Sequence, residues 1–220
     1  MSFTPAKTIE SSQKTRHKDL DLIVKKHFEH PYKKPIANHT IEAFNEFEER
    51  WLALERPELI LDSACGTGMS TRLLSEIYTN DLVVGLDQSQ KRLDHSDNRD
   101  LKGNCLLLRC DCTDFWRLLD KKDIKLKKHY LLYPNPYPKP QHLKRRWHGH
   151  PAFFNLINIS SKIELRTNWK IYAEEFLNAL QISGVSGAID DCSNELTMTA
   201  FERKYKKSGH DLWRVIFSQP

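Results

Sequence analysis

Six short apolar runs, separated by segments with helical spacing, constrain the fold of this chain more than any other feature. They are LILD (59–62), LVVGLD (82–87), CLLLRCD (105–111), HYLLYP (129–134), KIELRT (162–167) and WRVIFS (213–218). Apolar strands that alternate with helices typically form a parallel sheet covered by helices on both faces. The sequence therefore predicts an α/β class, doubly wound fold that binds ligands beyond the carboxyl ends of its strands.

The residues before the first run predict a separate amino-terminal region. Residues 1–40 are polar, basic and interrupted by three prolines, which indicates an arm with one short helix. An amphipathic helix that ends before Pro57 is then predicted by apolar residues at helical spacing, namely Ile41, Phe44, Phe47, Trp51 and Leu54. We expect residues 1–55 to form this arm and helix and residues 56–220 to form the main domain.

Composition narrows the class of protein. The chain has 220 residues and a formal charge of +5, enough length for one full α/β core. It contains no apolar run long enough to span a membrane and no secretory signal at its start. Its odd number of cysteines, five, favours reduced thiols and a cytoplasmic location over a disulfide framework. We expect a monomer or a weak homodimer that does not bind membranes.

Positive charge is concentrated in one segment. Residues 121–150 contain nine Lys or Arg residues and one Asp, so the rest of the chain is net acidic. The run KKDIKLKK (121–128) is typical of a solvated face. The following YPNPYPKPQHLKRRWH (133–148) adds prolines, which restrict the backbone, and aromatic rings, which can stack on bases. This stretch favours a polyanionic partner, RNA in particular.

A glycine loop follows the first apolar run. The sequence DSACGTG starts at Asp62 and contains Gly66 and Gly68, which allow a tight turn and close approach of a ligand. The third glycine of a dinucleotide fingerprint is missing. The pattern resembles the first motif of S-adenosylmethionine-dependent methyltransferases. That resemblance implies a Rossmann-like methyltransferase fold, with S-adenosyl-L-methionine as cofactor and Asp62, Ala64, Gly66 and Gly68 in its site.

Two further acids end the next two runs. Asp87 could accept hydrogen bonds from both ribose hydroxyls of a cofactor, and Asp111 lies where methyltransferases contact the adenine amino group. The residues that follow them, Gln88 and Cys112, complete the predicted cofactor site. Each acid could instead cap a helix or a turn.

Three blocks make the chain resemble the tRNA (guanine-N7)-methyltransferase family. They are PNPYPKPQHLKRR (134–146), TNWKIYAE (167–174) and TAFE (199–202), where the family has P-D-P-W-x-K-x-R-H-x-K-R-R, T-D-x-x-x-Y-x-E and T-x-F-E. The resemblance implies methyl transfer to guanine N7 in tRNA or another structured RNA. It implies that Asn135 is a catalytic residue and also contacts the cofactor. It also implies substrate contacts from Lys139, His142, Lys144, Arg145, Arg146, Thr167, Asn168, Thr199, Phe201 and Glu202.

The chain departs from that family at Gln141, where the family has Arg, and at two acidic positions. Asn135 and Asn168 stand where the family has Asp, so two carboxylates near the developing positive charge are replaced by neutral amides. Guanine N7 attacks with an in-plane lone pair and needs no general base, so alignment and charge stabilisation dominate. We therefore expect a slower enzyme, or a different substrate base if the amides present their NH2 groups.

Three alternatives remain open at this stage. NPY (135–137) is similar to the N-P-P-Y motif of amino methyltransferases, which would make an exocyclic amino group the target. A paralogue that binds cofactor and RNA but catalyses weakly would also fit the two lost carboxylates. Cys110, Cys112, His148 and His150 could form a zinc site, but their spacers are short for zinc, and we expect no metal.

Overall fold

The computed structural model describes residues 3–94 and 103–218. The chain forms two compact units, which we call the sheet unit and the loop unit. The sheet unit comprises the described residues of Lys33–Leu132 and Asn155–Ile163, and the loop unit those of Met1–Tyr32, Tyr133–Phe154 and Glu164–Pro220. These units divide the chain at other positions than residue 55, so the expected boundary there stays a prediction.

The sheet unit contains four parallel strands in the order β3-β2-β1-β4. Its strands are β1 (Leu59–Ser63), β2 (Leu82–Asp87), β3 (Cys105–Arg109) and β4 (Lys128–Leu132). Its helices are α2 (Asn38–Ala53), α3 (Met69–Ile77), α4 (Gln90–Asp94), α5 (Cys112–Lys121) and most of α6 (Phe153–Ile159). Every residue of β1 and β2 is buried, as expected for strands covered on both faces.

The amphipathic helix predicted before Pro57 is α2. The prediction of its apolar face is wrong at one residue. Phe44 and Phe47 are buried and pack on Phe115 of α5, with ring centroids 5.1 and 5.5 Å apart. Ile41, in contrast, is 41% exposed. In the first turn of the helix Thr40 is the buried residue, because its hydroxyl accepts a hydrogen bond from the backbone N–H of Asp111.

The loop unit contains three strands in the order β5-β7-β6. Its elements are α1 (Leu20–Glu29), two 3₁₀ turns (Pro140–Arg145 and Trp147–Gly149), β5 (Lys162–Thr167, from Glu164 onward), α7 (Lys170–Ile182), β6 (Gly187–Asp191), α8 (Ala200–Lys207) and β7 (Trp213–Ser218). β6 is antiparallel to β7, which corrects the expectation of a wholly parallel sheet. Its sequence, GAIDD, lacks an apolar run because most of its side chains are exposed.

Two other expectations can be compared with the structure. None of the helices among the described residues is long and apolar enough to cross a membrane. All five cysteines are free thiols, and four of them are buried.

Gly85 determines how closely α3 approaches the sheet. It lies in the middle of β2, between Asp62 and Leu107 in the neighbouring strands. A Cβ atom at this position would lie 2.3 Å from Oγ1 of Thr71 and 2.7 Å from Cδ2 of Leu107. Only glycine fits there, and the close packing places Thr71 next to the end of β1.

We predict that Gly85→Ala lowers the free energy of unfolding by about 1–3 kcal/mol, because the added methyl group overpacks the α3–β2 contact. Urea denaturation would measure the loss. Gly103→Ala is the control, since the nearest atom to its new Cβ would be 3.6 Å away, and we expect it to stay within about 0.5 kcal/mol of the wild type. Equal effects of the two substitutions would contradict the packing argument.

Candidate functional site

The glycine loop between β1 and α3 has the conformation its sequence predicts. Gly66 and Gly68 have φ angles of +64° and +74°, a region that glycine adopts without steric cost. A Cβ atom at Gly66 would meet nothing within 4 Å, so that side of the loop is open to a ligand. Ala64 also has a positive φ, +62°, which is uncommon for a residue with a side chain. The loop thus presents its backbone at the carboxyl end of β1.

Asp62 is fully buried beneath this loop, and only one of its two carboxylate oxygens has hydrogen-bond partners. Its Oδ2 accepts hydrogen bonds from the hydroxyls of Ser70 (2.6 Å) and Thr71 (2.8 Å). Its Oδ1 is buried and has no partner in the described structure. Burial raises the pKa of Asp62 to about 6, although both hydroxyl hydrogen bonds lower it. A buried acceptor without a donor fits a ligand that brings a cationic N–H group.

Asp87, at the end of β2, supports the glycine loop. Its Oδ2 accepts from the backbone N–H of Gly66 (3.0 Å), and its Oδ1 accepts from the backbone N–H of Ser89 and the guanidinium of Arg92, both at 2.8 Å. The carboxylate is 1% exposed but lies at the strand end where the ribose of a cofactor is expected. Its contact with ribose stays a prediction.

Asp111 is a helix cap, one of the two roles its sequence position allowed. It lies two residues beyond β3, and its Oδ1 accepts from the backbone N–H of Thr113 (2.8 Å) at the start of α5. Its Oδ2 accepts from Nε2 of Gln88 (2.8 Å), so these two predicted cofactor residues are in contact. Cys112 is buried, and burial raises the pKa of its thiol, which makes the side chain part of the core.

In the loop unit, Asn135 begins the proline-rich segment. The backbone N–H of Tyr133 donates to the carbonyl of Arg166 (2.8 Å), which extends the chain alongside β5. Asn135 is exposed, and its Oδ1 accepts from the backbone N–H of Tyr137 (3.3 Å). Tyr133 and Tyr137 both have positive φ angles, +54° and +43°. This strained turn holds the amide oxygen of Asn135 next to the backbone of Tyr137.

The expected cationic residues separate into exposed and buried groups. Lys139, Lys144 and Arg145 are exposed, and His142 is partly exposed next to the ring of Tyr137. They lie on or next to the 3₁₀ turn that begins at Pro140, so a rigid backbone presents their charges.

Arg146 does not belong to that exposed group, and its expected phosphate contact stays a prediction. Its side chain is 0% exposed and donates to Oε2 of Glu175 (2.5 Å), Oε1 of Gln13 (2.9 Å) and the carbonyl of Tyr137. Its guanidinium also lies 4.9 Å from the ring centroid of Trp169. Arg146 therefore fastens the loop to α7 and to the amino-terminal arm.

Glu175 is a structural residue beneath the basic loop that the sequence did not single out. Besides Arg146, it accepts hydrogen bonds from Nε2 of His148 (3.0 Å), Nε2 of Gln13 (2.6 Å) and the backbone N–H of His17 (2.8 Å). Burial alone would raise the pKa of Glu175, but His148, Arg146 and the backbone N–H of His17 lower it to about 2. The available signal was helical spacing, which places an acid on the apolar face of α7, three residues after Tyr172.

Thr199 and Glu202 organise α8 instead of facing outward. Thr199 is the N-cap, and its Oγ1 accepts from the backbone N–H of Glu202 (3.0 Å). The carboxylate of Glu202 is 1% exposed and binds Arg166 and the backbone N–H of Met198. Its expected substrate contact stays a prediction. Phe201, in the same turn, is 60% exposed.

Two further predicted residues lie at the carboxyl end of β5. Thr167 is buried, and its Oγ1 accepts from the backbone N–H of Trp169. Asn168 is partly exposed, and its Nδ2 lies 3.2 Å from Nδ1 of His210, a residue that the sequence analysis did not single out. In the described part of the chain, no three His, Cys, Asp or Glu side chains could together hold a metal ion.

Comparison with known proteins places this architecture among methyltransferases. Residues 55–215 match the family model described as "Putative methyltransferase". A tRNA (guanine-N(7)-)-methyltransferase of Alkaliphilus metalliredigens is 25% identical over 173 residues, which are 71% of this chain and 79% of the relative. A protein of the same name from Saccharophagus degradans is 32% identical over 125 residues, 51% of this chain and 54% of the relative.

Solved structures confirm the predicted fold. An antibiotic-related methyltransferase has a TM-score of 0.58 and 14% identity, covering 85% of this chain and 97% of that one. The 16S rRNA methyltransferase KamB has a TM-score of 0.57 and 16% identity, covering 85% and 96%. The Rossmann-like methyltransferase fold expected from the sequence is therefore the fold of this chain.

The buried carboxylate of Asp62, with one unpaired oxygen, predicts that cofactor affinity depends on pH. Its pKa of about 6 means that the carboxylate takes up a proton as the pH falls through 6, and a neutral acid binds a cationic ammonium group poorly. We expect the affinity for S-adenosylmethionine to fall below pH 6 by up to about tenfold per pH unit. Calorimetry at about pH 5 and 7.5 would measure it. Asp62→Asn should bind more weakly at pH 7.5 and lose most of the pH dependence; an unchanged pH profile in this variant would assign the titration to another group.

Proposed function

The chain belongs to the methyltransferase family whose model it matches over residues 55–215, and we propose that it methylates N7 of a guanine in tRNA. Relatives that carry the name tRNA (guanine-N(7)-)-methyltransferase support this reaction. The observation that carries the proposal is the loop that follows β4, because a strained, proline-fixed backbone presents three exposed cations there, Lys139, Lys144 and Arg145. Such an arrangement suits the phosphates of a structured RNA. With tRNA as substrate, the protein would act in the cytoplasm.

The sheet unit would hold the cofactor. S-adenosylmethionine, when bound, supplies an electrophilic methyl group on a sulfonium centre. We propose that the unpartnered Oδ1 of Asp62 accepts from its ammonium group and that Asp87 accepts from its ribose hydroxyls. The open side of the loop at Gly66 leaves room for close backbone contact. The Gln88–Asp111 pair would border the adenine.

The chain has little covalent chemistry to perform in this reaction. Guanine N7 carries its lone pair in the ring plane, so the protein must align the base and stabilise the positive charge that develops on it. A carboxylate about 4 Å from a unit charge contributes about 4 kcal/mol at an effective dielectric of 20. That energy corresponds to a change of nearly 1000-fold, about three powers of ten, in the reaction rate. With Asn135 and Asn168 in place of acids, the proposed enzyme works without this contribution and is expected to be slow.

A salt titration tests the RNA surface. Replacing Lys144 and Arg145 by Ala should weaken tRNA binding and flatten its dependence on salt concentration by about 0.7–0.9 in log–log slope per side chain. Fluorescence anisotropy between about 50 and 200 mM salt would measure both. The matched control replaces Lys121 and Lys162, two exposed lysines outside the loop, and should leave the slope unchanged. The same slope in wild type and in the loop variant would mean that this loop does not contact phosphates.

Nucleoside analysis tests the reaction itself. Wild-type protein, S-adenosylmethionine and bulk tRNA should yield 7-methylguanosine, measured by mass spectrometry. Asn135→Asp should raise the rate by about 10-fold or more, because it restores a charge next to the methylated base. Cofactor affinity should stay unchanged, since the glycine loop is intact. A methylated amino group as the product would favour the amino methyltransferase, and tRNA binding without any product would favour a catalytically weak paralogue.

A further inference from the structure

The two polar ends of the Asn168 amide are in different environments. Its Nδ2 donates to Nδ1 of His210 at 3.2 Å. Among residues 3–94 and 103–218, no group donates a hydrogen bond to its Oδ1. The side chain is only partly buried, so this oxygen can accept from a ligand. The two ends of an amide have nearly the same shape, so its orientation depends on which partner it faces.

His210 determines that orientation through its second ring nitrogen. Nε2 lies 3.2 Å from the backbone carbonyl oxygen of Ala6, which can only accept, so Nε2 carries the hydrogen. In a neutral ring Nδ1 is then an acceptor, and it requires the NH2 end of Asn168. The ring also stacks on Tyr205, with centroids 5.4 Å apart and planes 19° apart. The imidazole is therefore held in one plane with one tautomer.

Local sequence explains why His210 reaches this place. Helix α8 ends in a Schellman motif, in which Gly209 has a φ of +71° and its N–H donates to the carbonyl of Lys206. The N–H of His210 donates to the carbonyl of Tyr205 in the same motif. This turn folds the chain back over the last turn of α8, which brings the imidazole onto Tyr205.

We propose that His210 is a positioning residue that selects guanine by keeping the Oδ1 of Asn168 directed at the substrate. The proposal rests on the guanine-N7 function proposed above. Guanine has two adjacent donors, N1–H and N2–H2, and an amide oxygen can accept from them as a carboxylate would. Adenine presents an acceptor at N1, which the same oxygen would repel. The Ala6–His210–Asn168 chain thus makes a neutral amide act like the Asp that the family has at this position.

A double-mutant experiment separates this role from a structural one. His210→Phe keeps an aromatic ring on Tyr205 but removes the acceptor, so Asn168 is free to turn its NH2 group toward the guanine. We expect kcat/KM for 7-methylguanosine formation in tRNA to fall by about 10-fold, the size of one lost hydrogen bond. In the Asn168→Asp background both side-chain oxygens are acceptors, so the same substitution should cost less than about 3-fold. His210→Gln keeps an acceptor oxygen and should retain most of the wild-type kcat/KM.

The controls cover folding and the arm. His30→Phe makes the same change at an exposed histidine outside the Ala6–His210–Asn168 chain, where Nδ1 lies 2.9 Å from the carbonyl of Lys26, and kcat/KM should not change. If His210→Phe lowers the melting temperature, His210→Lys replaces it as a side chain that only donates. An equal loss in the wild-type and Asn168→Asp backgrounds, or no loss in the wild-type background, would overturn the role of His210 while the N7 function stands. Absence of 7-methylguanosine with the wild type would overturn both.

Discussion

The buried carboxylate of Glu175 is the interaction on which the loop unit depends. It joins three segments that are distant in sequence, because Arg146 and His148 come from the basic loop, Gln13 and His17 from the arm, and Glu175 itself from α7. Removing one partner of a buried ion pair typically costs about 3–5 kcal/mol, since the other charge is left uncompensated. The exposed cations of the loop can be presented on a fixed backbone only because this cluster fastens it.

The two asparagines that replace family acids have opposite orientations, and each is determined by a neighbour. The amide oxygen of Asn135 accepts a hydrogen bond from the backbone N–H of Tyr137. The NH2 group of Asn168 donates to the ring of His210. The protein therefore holds the oxygen end of one amide and the NH2 end of the other. An amide cannot carry the charge of a carboxylate, but its orientation can preserve the hydrogen-bonding pattern.

Sequence reasoning succeeded where a residue's role depends on its near neighbours. The apolar runs predicted the strands, and glycines with positive φ formed the expected turn after Asp62. It gave less where the environment of a residue depends on distant partners. Arg146 and Glu202 lie in motifs that were predicted to contact substrate, and both are buried because Glu175 and Arg166 pair with them. β6 was missed because an exposed edge strand needs no apolar run.

By itself the sequence determined the α/β class, the glycine loop, the basic loop and the family, since hydrophobic period, turn chemistry and local motifs are properties of adjacent residues. Only the tertiary structure decided which charges of the basic loop are exposed and which end of each asparagine bonds within the protein. Those outcomes depend on contacts such as Ala6 with His210 and Gln13 with Arg146, more than a hundred residues apart. Hydrogen-bond partners at that separation leave no local period in a sequence, because folding alone brings them together.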